Sequence, residues 1–100
     1  SIGIQYLGID TEMELYNPKW IQQTIQALNE IFNEHPVIYL TSSSDTILGL
    51  ILGCFLVERG MTGPAALRRL KQLRRYSSQP WLPFPAGLQA RKMIKRWLAP

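Results

Sequence analysis

Cysteine and long apolar runs are scarce in this 100-residue sequence. Cys54 is the one cysteine, so it forms no internal disulfide, and we expect it to pack inside a helix in a reducing, cytoplasmic compartment. The longest apolar run covers residues 47–57 and is shorter than the roughly 20 residues that span a bilayer. The first ten residues contain no base, which argues against a signal peptide. These features predict a soluble intracellular protein without a membrane span.

Residues that could hold a metal or a cofactor are also scarce. His35, the one histidine, precedes Pro36 and has neither a second histidine nor a carboxylate at ligand spacing. The chain also lacks a strand-turn nucleophile motif of the G-x-S-x-G kind. We therefore predict no metal site and no cofactor, and a structural role for His35.

Acidic residues are missing from the C-terminal part of the chain. Residues 1–58 hold seven acids and one base, Lys19, for a net charge of −6. Residues 59–100 hold ten bases and no acid, for a net charge of +10. So uneven a distribution suggests either that the two halves pair with each other or that the basic half meets an acidic partner.

Apolar spacing and turn residues predict two strands and four helices in a single domain of residues 1–100. The predicted elements are a strand within 2–9, a helix from Pro18 to about Asn33, a strand over 37–40, a helix over 46–58, a helix opened by 62–64, and a last helix over about 87–98 after a proline-rich loop at 77–87. Two strands joined by a helix should pair in parallel. We therefore predict an α/β fold, a small parallel sheet with flanking helices.

The helical spacing also predicts which side chains face the core. The inward residues are Trp20, Ile21, Ile25, Ala27, Leu28, Ile31 and Phe32 in the first helix, Ala66, Leu67, Leu70 and Leu73 in the third, and Ala90, Met93, Ile94, Trp97 and Leu98 in the last. The second helix is apolar nearly all round, so it should lie inside the molecule.

Four segments share their apolar pattern and spacing with a known family. They are residues 4–10 (IQYLGID), 36–41 (PVIYLT), 49–75 with an RG-M turn between two helices, and 82–98 with a proline-rich loop and a helix bearing Gln89. They resemble the C-terminal part of the cysteine-dependent protein phosphatases, in particular the small dual-specificity branch. The resemblance implies a phosphatase-like α/β fold in which Asp10 takes the general-acid position and residues 36–41 lead to the nucleophile.

The resemblance supplies only part of that fold, about two strands and four helices. Two strands alone are marginally stable and would leave open sheet edges. We therefore expect further strands from a longer parent chain or from a second subunit. The chain would then be a fragment or a component of an assembly, with a homo-oligomer as one option.

The residues that perform phosphatase chemistry are replaced. The family signature is His-Cys, five residues, Arg, then Ser or Thr; in register, Leu40 replaces the histidine, Thr41 the cysteine and Ile47 the arginine. A threonine hydroxyl without a base is a poor nucleophile. A hydrocarbon cannot hold phosphoryl oxygens as a bidentate guanidinium does. We therefore predict a catalytically inactive protein.

The degenerate phosphate loop itself allows two interpretations. It consists of Thr41, Ser42, Ser43, Ser44, Asp45, Thr46 and Ile47. Its backbone N–H groups before a helix could bind an anion, or Ser44 or Asp45 caps the helix and nothing binds. The charge of Asp45 favours the cap, and without a nucleophile Asp10 is more typical of a loop residue. A third interpretation, an unrecognised enzyme, requires a perturbed titratable group near residues 41–46.

Exposed basic and aromatic residues are the candidate contacts with a partner. They are Arg68, Arg69, Lys71, Arg74 and Arg75, Trp81 and Phe84 of the proline-rich loop, and Arg91, Lys92, Lys95 and Arg96. The first hypothesis is a regulatory or scaffolding module that contacts another protein. The alternative is a module that binds nucleic acid or another anionic surface, and steep salt dependence would identify it.

Overall fold

Four α-helices and two β-strands make up the part of the chain that the computed structural model describes, namely residues 4–8, 16–34, 37–41, 45–75, 85 and 87–97. In chain order the elements are β1 (Ile4–Gly8), α1 (Pro18–Glu34), β2 (Val37–Thr41), α2 (Asp45–Glu58), α3 (Gly63–Arg74) and α4 (Leu88–Arg96). α4 ends before the predicted residue 98 because Trp97 has extended backbone angles, φ −64° and ψ 134°. The other bounds lie close to the predicted ones.

The two strands pair in parallel, with α1 as the connection between them. Their register places Ile4 opposite Val37 and Gly8 opposite Thr41. The pairing is five residues long, which is an ordinary length for a strand but makes a very small sheet.

Local chemistry at the helix starts explains two of the helix bounds. The side-chain Oδ1 of Asn17 accepts a hydrogen bond from the backbone N–H of Lys19 at 2.9 Å. Pro18 follows Asn17 at the first position of α1, where no N–H donor is needed. Thr62 precedes α3, and its Oγ1 accepts a hydrogen bond from the N–H of Ala65 at 3.2 Å.

Gly60 ends α2 and turns the chain toward α3. Its φ of +109° lies where residues with a Cβ are strained. The N–H of Gly60 donates to the carbonyl of Val57 at 3.0 Å, and the N–H of Met61 donates to that of Leu56 at 3.1 Å. This pair of bonds is the Schellman arrangement, which satisfies carbonyls at the helix end.

The hydrophobic core is built around α2, which packs against α1, α3 and α4. The buried hydrophobic residues of the described chain are Ile21, Ile25, Leu28, Ile47, Leu50, Ile51, Cys54, Val57, Ala66, Leu70, Ala90 and Ile94. Five of these twelve belong to α2. A helix that is apolar all round needs neighbours on several sides, and α2 has three helices around it.

Glycines allow α4 to approach its neighbours closely. A Cβ at position 63 would lie 2.5 Å from the Cα of Lys95 and 2.8 Å from its carbonyl oxygen, so a side chain there would collide with the backbone of α4. The side chain of Ile94 occupies the space that a Cβ of Gly53 would need on α2. α4 is therefore held in place by backbone proximity as well as by apolar contact.

The prediction of an α/β, phosphatase-like fold built on a parallel sheet is wrong, because the described core is all-helical. The twelve buried hydrophobic residues named above, which come from the part of the chain whose side chains the structure describes, all lie on the four helices. The physical reason is that the apolar surface of α2 is covered by helices, whereas two five-residue strands offer too little surface to form a layer.

Three of the predicted inward residues are exposed. Phe32 is 41% exposed and Leu73 is 47% exposed, and Ala27 also lies on the surface. In α3 the buried positions Ala66 and Leu70 follow an i, i+4 repeat that leads to half-buried Arg74, so Leu73 lies outside the packed face. The stripes predicted for α1 and α3 were therefore too wide.

Candidate functional site

Much of the degenerate phosphate loop lies outside the described residues, as do Asp10, Trp81 and Phe84. The described part of the loop begins again at Asp45, the first residue of α2, where Thr46 is half-buried. Ile47 is only 5% exposed and belongs to the hydrophobic core. The position that the phosphatase resemblance aligns with the phosphate-binding arginine therefore carries a side chain that packs among helices.

Cys54 lies at the centre of the core and is fully buried, as the sequence predicts. Burial, and to a smaller extent the charge of the Glu58 carboxylate, raise the pKa of its thiol to about 12. The thiol is therefore protonated near neutral pH. A protonated, inaccessible thiol is neither a nucleophile nor a metal ligand.

The basic residues of α3 and α4 are mostly exposed. Among the predicted partner contacts, the exposed ones are Arg68, Arg69, Lys71, Arg75, Lys92, Lys95 and Arg96, whereas Arg74 and Arg91 are half-buried. The two helices pack against each other, so these cations lie on neighbouring elements. The prediction that the basic residues of the C-terminal half face solvent is confirmed for those seven.

A groove lies between the first turns of α1 and one face of α4. It is open to solvent and has a volume of about 720 Å³. Its lining residues are Pro18, Lys19 and Gln22 from α1, Gln89, Lys92, Met93 and Arg96 from α4, and Trp97 after it. Three of the described lining residues, Lys19, Lys92 and Arg96, are cations and none is acidic, and Met93 and Trp97 form an apolar floor.

Glu58, the last residue of α2, lies behind this groove and holds two of its side chains. Nε1 of Trp97 donates a hydrogen bond to Oε2 of Glu58 at 2.8 Å. Nε2 of Gln22 donates to Oε1 of the same carboxylate at 3.2 Å. One carboxylate oxygen therefore accepts a hydrogen bond from the α1 wall of the groove, and the other accepts one from Trp97 in its floor. The second bond fixes the orientation of the indole ring.

Arg59, the residue after Glu58, has a structural contact instead. Its guanidinium carbon lies 5.2 Å from the ring centre of Phe32 and 5.4 Å from that of Phe55. The two rings are 6.4 Å apart and inclined at 63°. This cation is engaged by aromatic faces of α1 and α2, which also explains how a large side chain such as Phe32 lies at the surface.

The sequence identified only part of the groove. Lys92 and Arg96 were predicted as partner contacts, but Lys19, Gln22 and Glu58 were not assigned to any site. One signal was present: a tryptophan on the core side of a helix usually needs an acceptor for its indole N–H, and Glu58 is the carboxylate at the end of the buried helix. The described residues contain no cluster of three His, Cys, Asp or Glu side chains that could hold a metal.

No helix in the described parts of the chain combines the length and the apolar character that crossing a membrane requires. Comparison with protein-family models, with curated proteins and with solved structures finds no match to this chain. Its function must therefore be argued from the side chains themselves.

Proposed function

We propose that this chain is a non-catalytic interaction module that binds an acidic protein partner through its basic C-terminal half and acts as a regulatory or scaffolding component. The observation that carries the proposal is the set of exposed cations on α3 and α4, in a half of the chain that has no acidic residue. An acidic partner supplies the counter-charge that this half lacks.

The arrangement of charges on α4 adds to this argument. Arg91 and Lys95 are four residues apart, as are Lys92 and Arg96, so each pair is a like-charge pair on one face of the helix. Each such pair costs roughly 0.2–0.5 kcal/mol in an isolated helix. The penalty is modest, but contact with carboxylates would reverse its sign, so binding and helix stability favour the same partner.

Three described features support the absence of catalysis. Ile47 packs in the core where the phosphatase resemblance would require an arginine, Cys54 is buried, and burial raises the pKa of its thiol. Thr41, aligned with the nucleophile, is a residue that needs a neighbouring base to react. We expect no turnover of p-nitrophenyl phosphate by the full chain. Turnover that Thr41→Ala abolishes would overturn this part of the proposal.

A reducing intracellular compartment belongs to the same proposal. The chain's one cysteine is buried and protonated, so it offers no disulfide for stability outside the cell.

A protein partner is favoured over nucleic acid because Trp97 and Met93 give the basic groove an apolar floor. Protein interfaces use such aromatic and methionine contacts, whereas binding to the phosphate backbone of a duplex depends mainly on cations.

The proposal is tested by titrating the full chain against two anionic probes and following fluorescence anisotropy. One probe is a fluorescein-labelled peptide in which glutamates alternate with leucine and phenylalanine; the other is a labelled DNA duplex. We expect the peptide to bind at physiological salt and to lose affinity with added salt less steeply than the duplex does. Failure of the peptide to bind, or tighter binding of the duplex at physiological salt, would overturn the proposal.

A further inference from the structure

We propose that the groove between α1 and α4 is the binding site for an acidic peptide segment of the partner, with a large apolar side chain of that segment against Trp97 and Met93. The inference rests on the proposed function and makes it specific. The acidic segment would bind in one groove, which includes residues of α1. The exposed cations of α3 would then lie outside the main contact with the partner.

Charge complementarity identifies the segment as acidic. Lys19 enters the groove from α1, and Lys92 and Arg96 enter it from α4, four residues apart on one helix face. Because the cations belong to both walls, carboxylates along a bound segment would be contacted from both sides. The described residues that line the groove contribute no negative charge against such a segment.

The floor of the groove identifies the second requirement, an apolar side chain. Trp97 and Met93 are half-buried, so each presents part of its surface to the groove and part to the core. The hydrogen bond from Trp97 to Glu58 already fixes the indole ring in the free protein. Little side-chain entropy is therefore lost when the ring is covered, and the thioether of Met93 adapts to different apolar groups.

The dimensions of the groove favour a peptide over a small anion. A volume of about 720 Å³ far exceeds the space that one phosphate or carboxylate fills. The groove also lies between two helices and is open to solvent, as are the grooves in which proteins accept peptide segments. Gln89, an exposed amide in its lining, can donate to and accept from the backbone of an occupant.

The experiment uses two lysines of the same helix. Lys92 lines the groove, whereas Lys95 is exposed on α4 and does not belong to the lining. Lys92→Glu and Lys95→Glu therefore make the same change in net charge, three residues apart. With the glutamate–leucine–phenylalanine peptide as probe, we expect Lys92→Glu to weaken binding about tenfold. Lys95→Glu should weaken it less than about twofold, because screening reduces more distant charges.

Arg96→Glu is the second groove variant and should match Lys92→Glu. A probe with serine in place of leucine and phenylalanine keeps the acidity and should bind about tenfold more weakly, since its apolar contact is lost. Intrinsic fluorescence reports the contact directly. The peptide should change the tryptophan emission of the wild-type chain, and Trp97→Phe should bind it without that change, although Trp20 and Trp81 remain.

The outcomes separate this inference from the proposed function. Equal weakening by Lys92→Glu and Lys95→Glu would refute the groove and leave the basic half as a general acidic-partner surface. The same follows if the peptide changes the emission of Trp97→Phe as much as it changes that of the wild-type chain. If the wild-type chain binds neither acidic peptide, both proposals fail. Circular dichroism should show that Lys92→Glu, Lys95→Glu and Arg96→Glu retain the fold, as expected for exposed lysines and an exposed arginine.

Discussion

α2 and α4 are both helices of the same core, but they use their surfaces in opposite ways. α2 has five residues in the buried core of the described chain, whereas α4 has two, Ala90 and Ile94. The exposed positions of α4 include three of its four basic residues. α2 therefore supplies most of the apolar contact that stabilises the fold, and α4 supplies charge at the surface.

The comparison of α2 with α4 shows how a short, basic helix can be held in place although it buries little apolar surface. Ile94 packs against Gly53 of α2, and the backbone at Lys95 lies against Gly63 of α3. Close backbone approach places many atoms of α4 in contact without a wide apolar stripe. The remaining surface of the helix is free to carry charge.

The largest expected effect comes from truncating a leucine in each helix. Leu50→Ala removes a fully buried side chain from α2 and should lower the free energy of unfolding by about 3 kcal/mol, through lost transfer energy and a cavity. Leu88→Ala removes a side chain of α4 that is 60% exposed and should change it by less than about 0.5 kcal/mol. Urea unfolding measures both. Similar losses for the two variants would contradict the division of roles between the helices.

The second effect tests the close approach of α3 and α4. Gly63→Ala places a Cβ against the backbone at Lys95 and should destabilise the protein by about 1–3 kcal/mol. Gly87→Ala is the matched control, because its nearest neighbour lies at an ordinary 3.6 Å. Thermal unfolding should separate the two variants, and a Gly63→Ala protein as stable as Gly87→Ala would argue against backbone contact between the helices.

The third effect concerns the hydrogen bond between Trp97 and Glu58. Trp97→Phe keeps an aromatic ring but loses the N–H donor, and it should lower the free energy of unfolding by about 1 kcal/mol, because the acceptor is charged and partly buried. A double-mutant cycle with Glu58→Ala isolates the pair. Its control is the corresponding cycle with Trp20→Phe in place of Trp97→Phe. Strict additivity of Trp97→Phe and Glu58→Ala would show that the bond contributes nothing.

The smallest effect concerns Arg59, the residue directly before Gly60. Arg59→Gln removes the cation from the faces of Phe32 and Phe55 and should destabilise the fold by about 0.5–1 kcal/mol. Arg68→Gln removes an exposed arginine of α3 and should be close to neutral. If both variants have the same midpoint in urea, the ring contacts do not stabilise the protein.

Helix bounds were predictable because the residues that set them act locally. Asn17 and Pro18 start α1, Gly60 ends α2 and Thr62 starts α3, each through bonds to residues a few positions away. What covers α2 was not predictable in the same way. A helix that is apolar all round must be buried, but its pattern does not distinguish a neighbouring sheet from neighbouring helices. The α/β prediction failed at that point.

The candidate site was predictable only on the side of α4. Lys92 and Arg96 stand out as exposed bases in a region without acids. The opposite wall depends on α1 lying beside α4, and local spacing has no information about that arrangement. The same holds for Glu58, whose hydrogen-bond partners Gln22 and Trp97 are 36 and 39 residues away in the sequence.

The shared carboxylate of Glu58 has a mechanical consequence. Because one oxygen is bonded to the α1 wall and the other to the indole after α4, a displacement of either wall disturbs the anchor of the other. If the indole rotated outward, the half-buried carboxylate of Glu58 would lose one of its two donors. Water could then reach this carboxylate and compete with the amide of Gln22 for hydrogen bonds to it. The first turns of α1 and the residue after α4, each tied to the same side chain, would therefore respond together to an occupant of the groove.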